Sequence, residues 1–373
     1  MSGKRGNNEG SIVRRSDGRW MARLTLGDGT RKTLYAKTRQ DAAQQLASAL
    51  RDRDKGLLIA GEKQTVATYL GNWLETMRPI IRPRTWQRYE EYVKLHLAPL
   101  LGKVILSRLT PQQVQQLYAQ KLSAGLSPTT VAHLHAVLHR ALGAALRLGL
   151  VQRNVTELVD APHVSPPEMQ VLTPEQARIF LQAASTDRLE ALYVLAITSG
   201  MRLGELLAVK WRDVDLDRGS LQVRATLQHT DEGYNFFQPK TKRSRRHVTL
   251  TRGAVEALRR HRARQAEERL LAGAGWKDLG LIFTNTAGGP LHKSNLHFRS
   301  FKPLLQAAGL PPIRFHDLRH TAATLLFLQG VHPKVVSEML GHASVSITLD
   351  LYSHVLPNMQ RDASDALDRL LGQ

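Results

Sequence analysis

Apolar residues recur along this chain with two periods, and the change from one to the other divides it. Near the start the pattern alternates: Trp20, Ala22, Leu24 and Leu26 fall on one face of an extended run, Met21, Arg23 and Thr25 on the other. Ser16-Asp17-Gly18 and Gly27-Asp28-Gly29 are turn-forming and bracket that run, so strands are predicted at residues 11–14, 20–26 and 31–36. Thr38 can cap a following helix whose Ala42, Ala43, Leu46, Ala49 and Leu50 form one apolar stripe. A sheet this narrow buries one face beneath that helix and leaves the other open.

From residue 65 the spacing becomes helical, with apolar residues three and four apart over 65–77, 84–97, 111–122 and 128–148. Thr110-Pro111-Gln112-Gln113 and Thr173-Pro174-Glu175-Gln176 are matching helix starts, each with a Thr cap, Pro at the first helical position and Gln three residues on. Residues 160–170 are Pro-rich and aperiodic, which suits a linker. Beyond it, helices are predicted at 174–184, 189–199, 204–209, 252–271, 296–308, 318–329 and 333–340, and strands at 221–225 and 247–250. Residues 358–371 form a last amphipathic stretch. The fold class expected is α+β, mainly helical and multidomain. Its parts are a three-stranded sheet plus helix (1–60), a four-helix domain (61–160), a linker (161–170), a mixed α/β domain (171–356) and a tail helix (357–373).

Charge narrows the function. Lys and Arg number 52 against 32 acids, for a net charge of +20. Split at about residues 60 and 165, the three segments carry +7, +6 and +7. An even spread is not a single basic tail, and its size suits nucleic-acid phosphates. Arg19, Arg23, Arg31 and Lys32 lie on or beside the strands, where a narrow sheet can enter a major groove. Arg84, Arg88 and Lys94 sit among Trp86, Tyr89 and Tyr92, a mixture that suits a DNA backbone, although aromatics at helical spacing equally serve a core. No apolar run approaches the roughly 20 residues of a membrane span. The polar start does not read as a secretory signal, and with no cysteine there are neither disulfides nor thiolate metal sites. A cytoplasmic, nucleoid-associated protein is expected. His133, His135 and His139 have no third ligand nearby in sequence, so no metal is expected there.

Four clusters in the last segment carry chemistry: Thr198-Ser199-Gly200-Met201-Arg202-Leu203-Gly204-Glu205, Pro239-Lys240-Thr241-Lys242, His316-Asp317-Leu318-Arg319-His320, and Leu340-Gly341-His342 followed ten residues later by Tyr352. Two arginines offer forked donors for phosphodiester oxygens. Tyrosine offers an oxygen nucleophile, and histidine and lysine move protons. There is no carboxylate cluster for Mg²⁺ and no phosphate-cradling Gly-rich loop with its Lys, so the inventory suits transesterification at phosphate without metal or other cofactor. Each cluster also has a structural reading. Arg202 could simply pair with Glu205, residues 240–246 could be a solvated hairpin, and Tyr352 could be core. The spacing of His316 and His320 loosely mimics a zinc-protease pattern, but Arg319 shares the His316 face and would oppose a metal.

Taken together, Arg202, Lys240, His316, Arg319, His342 and Tyr352, in that order over about 150 residues, resemble the active-site set of tyrosine recombinases of the phage-integrase type. The resemblance implies that Tyr352 attacks the scissile phosphorus, Arg202 and Arg319 hold its non-bridging oxygens, and His316 and Lys240 act as base and acid. It further implies that His342 hydrogen-bonds the phosphate and Glu205 orients its neighbours. Lys242 competes with Lys240 for the acid role. The helical middle looks like a core-site-binding domain and the N-terminal sheet like an arm-site-binding domain. The implied partners are double-stranded DNA, a homotetramer coupled through the tail, and, for excision, an excisionase and a DNA-bending host factor. A type IB topoisomerase or a non-catalytic DNA-binding regulator are the alternatives; the arm-like sheet and the tail favour an integrase over the first, and the second leaves the ordered set unexplained.

Overall fold

The computed structural model describes residues 10–25, 31–54, 64–165, 169–230, 233–238, 246–342, 344–352, 364 and 368–372, with backbone alone at 52–54, 351 and 352. The chain forms two compact units, Met1–Pro166 and Pro167–Gln373.

In the first unit, strands β1 (Ser11–Arg14), β2 (Trp20–Thr25) and β3 (Arg31–Ala36) form an antiparallel sheet in that order. Helix α1 (Arg39–Asp54) covers one face, burying Ala42, Leu46 and Ala49 against Ala22, Leu24 and Ala36. Register then assigns the basic residues. Arg23 stands opposite Thr33 and Arg31 opposite Thr25, on the open face, whereas Lys32 stands opposite Leu24 and so belongs to the covered face. Sequence grouped Lys32 with Arg23 and Arg31; the pleat separates them. Arg19, just outside β2, pairs with Asp17 at 3.2 Å.

The same unit holds a helical core built from α2 (Val66–Met77), α3 (Pro83–Tyr92), α4 (Ala98–Leu101), α5 (Pro111–Ser123) and α6 (Pro128–Arg147). The caps follow the sequence. Thr110 and Gln113 close a reciprocal capping box, and Thr65 and Ser127 each accept a backbone N–H of the first turn. The helix expected over 84–97 widens into a π-type turn at Val93–Leu97. Pro99 follows it and has no N–H to continue the regular ladder. Trp86 donates to the Leu74 carbonyl at 2.8 Å, Tyr89 stacks on Trp73, and Tyr92 is buried. Arg84, Arg88 and Lys94 are exposed, with Arg88 bonded to the Tyr92 hydroxyl at 2.9 Å and Lys94 paired with Glu90 at 2.8 Å. Aromatic and basic residues thus part, one set inward and the other outward. His133, His135 and His139 each find a local hydroxyl, on Tyr92, Tyr118 and Thr156.

The second unit opens with α7 (Pro174–Ala184), α8 (Glu190–Ser199) and α9 (Leu203–Leu206). Strands β4 (Val214–Asp215) and β5 (Ser220–Val223) precede a separate hairpin of β6 (Thr226–Thr230) and β7 (Gly233–Phe237), after which β8 (Arg246–Thr249) returns to pair with β5. There follow α10 (Arg252–Ala272), α11 (Lys293–Leu296), α12 (Lys302–Ala307), α13 (Asp317–Leu328), α14 (Pro333–Leu340) and α15 (Val345–Tyr352). Helix α8 is buried nearly all round, and its Tyr193 meets Phe180 and Phe301 in an aromatic cluster at the centre of the core. The tail helix expected at 357–373 lies largely outside the described residues. No helix among the described residues is long and apolar enough to cross a membrane.

Candidate active site

Two left-handed glycines shape the site. Gly200 ends α8 with φ +61° and Gly341 ends α14 with φ +70°, a conformation glycine adopts without steric cost. Each turns the chain sharply and delivers a functional residue, Arg202 two positions after the first and His342 immediately after the second. The turns pack closely: a Cβ at Gly200 would stand 2.5 Å from Leu340 Cδ2.

Arg319, in the first turn of α13, joins them. Its side chain is buried, and Nη1 donates to the carbonyls of Gly200 and Leu340, each at 2.8 Å. Arg202 stands on the other side of the same turn, its Nη2 3.5 Å from the Gly341 carbonyl oxygen. Glu205 holds Arg202 from beneath, accepting from its backbone N–H at 3.0 Å and from Nη1 at 2.9 Å. The pairing proposed as a structural alternative for Arg202 is therefore present, and it orients the arginine at the site. Burial raises the Glu205 carboxyl pKa, but Arg246 and then Arg202 outweigh it and hold the group below its ordinary value.

The imidazoles report how close the charges lie. Part of His316 stays open to solvent. Even so, its pKa is pulled down to about 4, first by lost solvation, then by His320, Arg319 and Arg202, with Asp317 acting oppositely. His342 is also drawn down to about 4, by lost solvation and then by Arg319, Arg202, His320 and Arg246. Both rings are neutral at pH 7. His342 Nδ1 is 2.7 Å from the hydroxyl of Thr348, a fully buried residue one helical turn before Tyr352 on α15. His320 lies edge-on to His316 with centroids 5.1 Å apart, and Asp317 is bonded by Arg314.

Of the residues the sequence selected for chemistry, Arg202, Glu205, His316, Arg319 and His342 are brought together here, all within the second unit. Lys240, Lys242 and the Tyr352 side chain lie outside what is described, although α15 carries the Tyr352 backbone. The candidate DNA-contacting residues Arg19, Arg23, Arg31, Lys32, Arg84, Arg88 and Lys94 belong to the first unit. Two residues were missed. Thr348 gave no signal, being one threonine among apolar neighbours. Arg246 entered only as the end of a basic run for which a solvated hairpin was the structural alternative, yet it is buried, with Nη2 3.0 Å from Glu205 Oε2. Its alternation with Val248 in β8 could have shown that it faces inward.

Paired arginines and neutral imidazoles, set on this helical scaffold beside a helix that ends at a tyrosine, suit phosphoryl transfer. The Phage integrase family model matches residues 170–359, and the phage integrase N-terminal SAM-like domain matches residues 65–123. A XerC-like tyrosine recombinase of Caldanaerobacter subterraneus subsp. tengcongensis is 32% identical over 361 residues, covering 91% of this chain and 92% of its own. An integrase of Streptomyces ambofaciens is 32% identical over 362 residues, covering 92% of each. Among solved structures, the Tn1549 transposon integrase in complex with a circular intermediate DNA superposes with a TM-score of 0.68 at 20% identity, covering 82% of this chain and 99% of that one. A lambda integrase dimer bound to a core site gives 0.58 at 20% identity, covering 94% and 96%.

The chain belongs to the phage integrase family of tyrosine recombinases. It is a site-specific DNA recombinase, of the class that cuts and rejoins strands through a 3′-phosphotyrosine.

Proposed function

We propose that Tyr352 is the nucleophile and that the cluster around Gly200 and Gly341 is the phosphate site it acts on. The Tyr352 oxygen attacks the scissile phosphorus, forming a 3′-phosphotyrosine and releasing a 5′-hydroxyl. Arg202 and Arg319 bind the non-bridging oxygens and stabilise the charge that grows there, a role worth about 10²–10³-fold per donor in comparable sites. His316 takes the tyrosine proton, Lys240 protonates the leaving oxygen, His342 hydrogen-bonds the phosphate, and Glu205 orients Arg202. A phosphodiester anion offsets the Arg319 and Arg202 charges, which add to lost solvation and to His320 in holding His316 neutral. Its arrival raises the imidazole pKa just when a proton acceptor is needed. A partner strand's 5′-hydroxyl then reverses the step, so the bond energy is conserved.

The observation that carries this reading is the seating of two arginines and two neutral imidazoles about one pair of glycine turns. Around this centre we assign residues 1–60 to arm sites, 61–160 to core sites, 161–170 to a linker, 171–356 to catalysis and 357–373 to a tail that docks on a neighbouring subunit. The working form is a homotetramer on DNA in the cytoplasm, associated with the nucleoid, and excision draws on an excisionase and a DNA-bending host factor. A nicked suicide duplex built from the DNA flanking the gene tests the chemistry. Wild type should trap a covalent protein–DNA adduct, whereas Tyr352→Phe should bind equally and trap none; adduct formation by the phenylalanine variant would refute the assignment.

A further inference from the structure

We propose that Arg246 is a positioning residue for strand cleavage, a buried guanidinium that fixes Arg202 through Glu205 and clamps the turn presenting His342. The inference rests on the phosphate-site reading above and extends it to a residue that does not touch phosphate.

The geometry is specific. Arg246 is the first residue of β8, where pairing with Val223 of β5 sets its backbone. Its side chain is 6% exposed, so it contributes little as a surface charge. Nη2 donates to Glu205 Oε2 at 3.0 Å, and Nε donates to the Met339 carbonyl at 2.7 Å. Glu205 divides its oxygens, Oε2 serving Arg246 and the Arg202 backbone while Oε1 serves Arg202 Nη1. One guanidinium therefore joins Glu205 to the Met339 carbonyl at the end of α14. Gly341 completes the fit. A Cβ there would stand 2.9 Å from Arg246 Nη1 and 3.2 Å from Cδ, so this glycine serves both the left-handed turn and the approach of the arginine.

The charges give the arrangement a chemical consequence. A buried carboxylate facing Arg202 alone would draw that guanidinium onto itself and cancel its charge. With Arg246 on its second oxygen, Glu205 is already neutralised, and the trio keeps one net positive charge at Arg202. Removing Arg246 should slow the chemical step and leave ground-state DNA binding largely intact, because most of the binding charge lies elsewhere in a chain of net +20.

The test uses the full chain and the same nicked duplex, comparing wild type, Arg246→Gln, Arg246→Lys, Glu205→Gln and the Arg246→Gln/Glu205→Gln double variant. Single-turnover adduct formation at saturating DNA should fall about 30–100-fold in Arg246→Gln, with the apparent Kd changed by no more than about threefold. Arg246→Lys, which keeps the charge but lacks the fixed planar fork whose two nitrogens reach Met339 and Glu205, should recover part of the loss. The double variant should be no slower than the slower single one, since both act on Arg202. The proposal is overturned if Arg246→Gln cleaves at the wild-type rate, if its loss lies in Kd, or if the two losses multiply. It also falls if neither position-246 variant melts cooperatively and binds DNA, because Arg246 would then serve the fold alone. Failure of the underlying reading looks different: wild type would trap no adduct, or Tyr352→Phe would trap one.

Discussion

His316 and His342 carry the clearest pH signature of the molecule. Their folded pKa values near 4 lie below the ordinary 6.5 of an unfolded chain, so between those values the unfolded state binds more protons. The DNA-free protein should therefore lose stability as pH falls from about 6.5 toward 4. A melting series across that range should show a smaller loss in the His316→Gln/His342→Gln double variant; an unchanged loss would mean that neither ring is held neutral. Thr348 acts at the same scale. Replacing it with Val keeps the shape but removes the hydroxyl from His342 Nδ1. About 1–2 kcal/mol of stability should go in urea unfolding, and single-turnover cleavage should slow as the ring loses its orientation. Sequence named His342 without difficulty, but it could not show that a threonine six residues on orients the ring.

Among the elements, the turns after α8 and α14 matter more to the site than any helix body. Gly200→Ala forces an L-residue into left-handed backbone, about 1–2 kcal/mol by itself, and drives a methyl into Leu340. It should also displace the carbonyl that Arg319 binds, so adduct formation should fall further than stability accounts for. Thr173→Ala is the control. It removes the α7 cap, about 1 kcal/mol, and should leave cleavage by the folded protein unchanged; equal cleavage losses in the two variants would mean that the turn has no special role. Helix starts were legible because Thr, Pro and Gln at fixed offsets satisfy the first-turn donors locally. The β6–β7 hairpin and α15 were not predicted. The hairpin's strands alternate weakly, and Val345, Ile347 and Thr348 in α15 are β-branched residues that favour strand by propensity until tertiary packing overrides it.

At the scale of the whole molecule the net charge of +20 dominates. If six or more phosphates are neutralised, DNA affinity should fall about 10³-fold or more between 50 and 200 mM salt. Fluorescence anisotropy across that range measures the slope, and a near-flat response would place binding outside the electrostatic regime. That charge is not uniform in role. Arg23 and Arg31 occupy the open sheet face, Arg84, Arg88 and Lys94 are exposed beside an aromatic interior, and Arg246 and Arg319 are buried among carbonyls and a carboxylate.

By itself the sequence determined most local matters: which segments coil or extend, the β6–β7 hairpin and α15 excepted, where helices begin, and which residue types in which order suit phosphoryl transfer. These rest on periodicity, capping and side-chain chemistry, each acting over a few positions. Tertiary structure alone decided that Lys32 faces away from Arg23, that Trp86 and Tyr92 serve a core, and that Arg246 lies beneath the site. Those outcomes depend on strand register and on contacts between residues as much as 93 positions apart, as between Arg246 and Met339. No local pattern records such a contact, because it forms only when the remaining chain has packed.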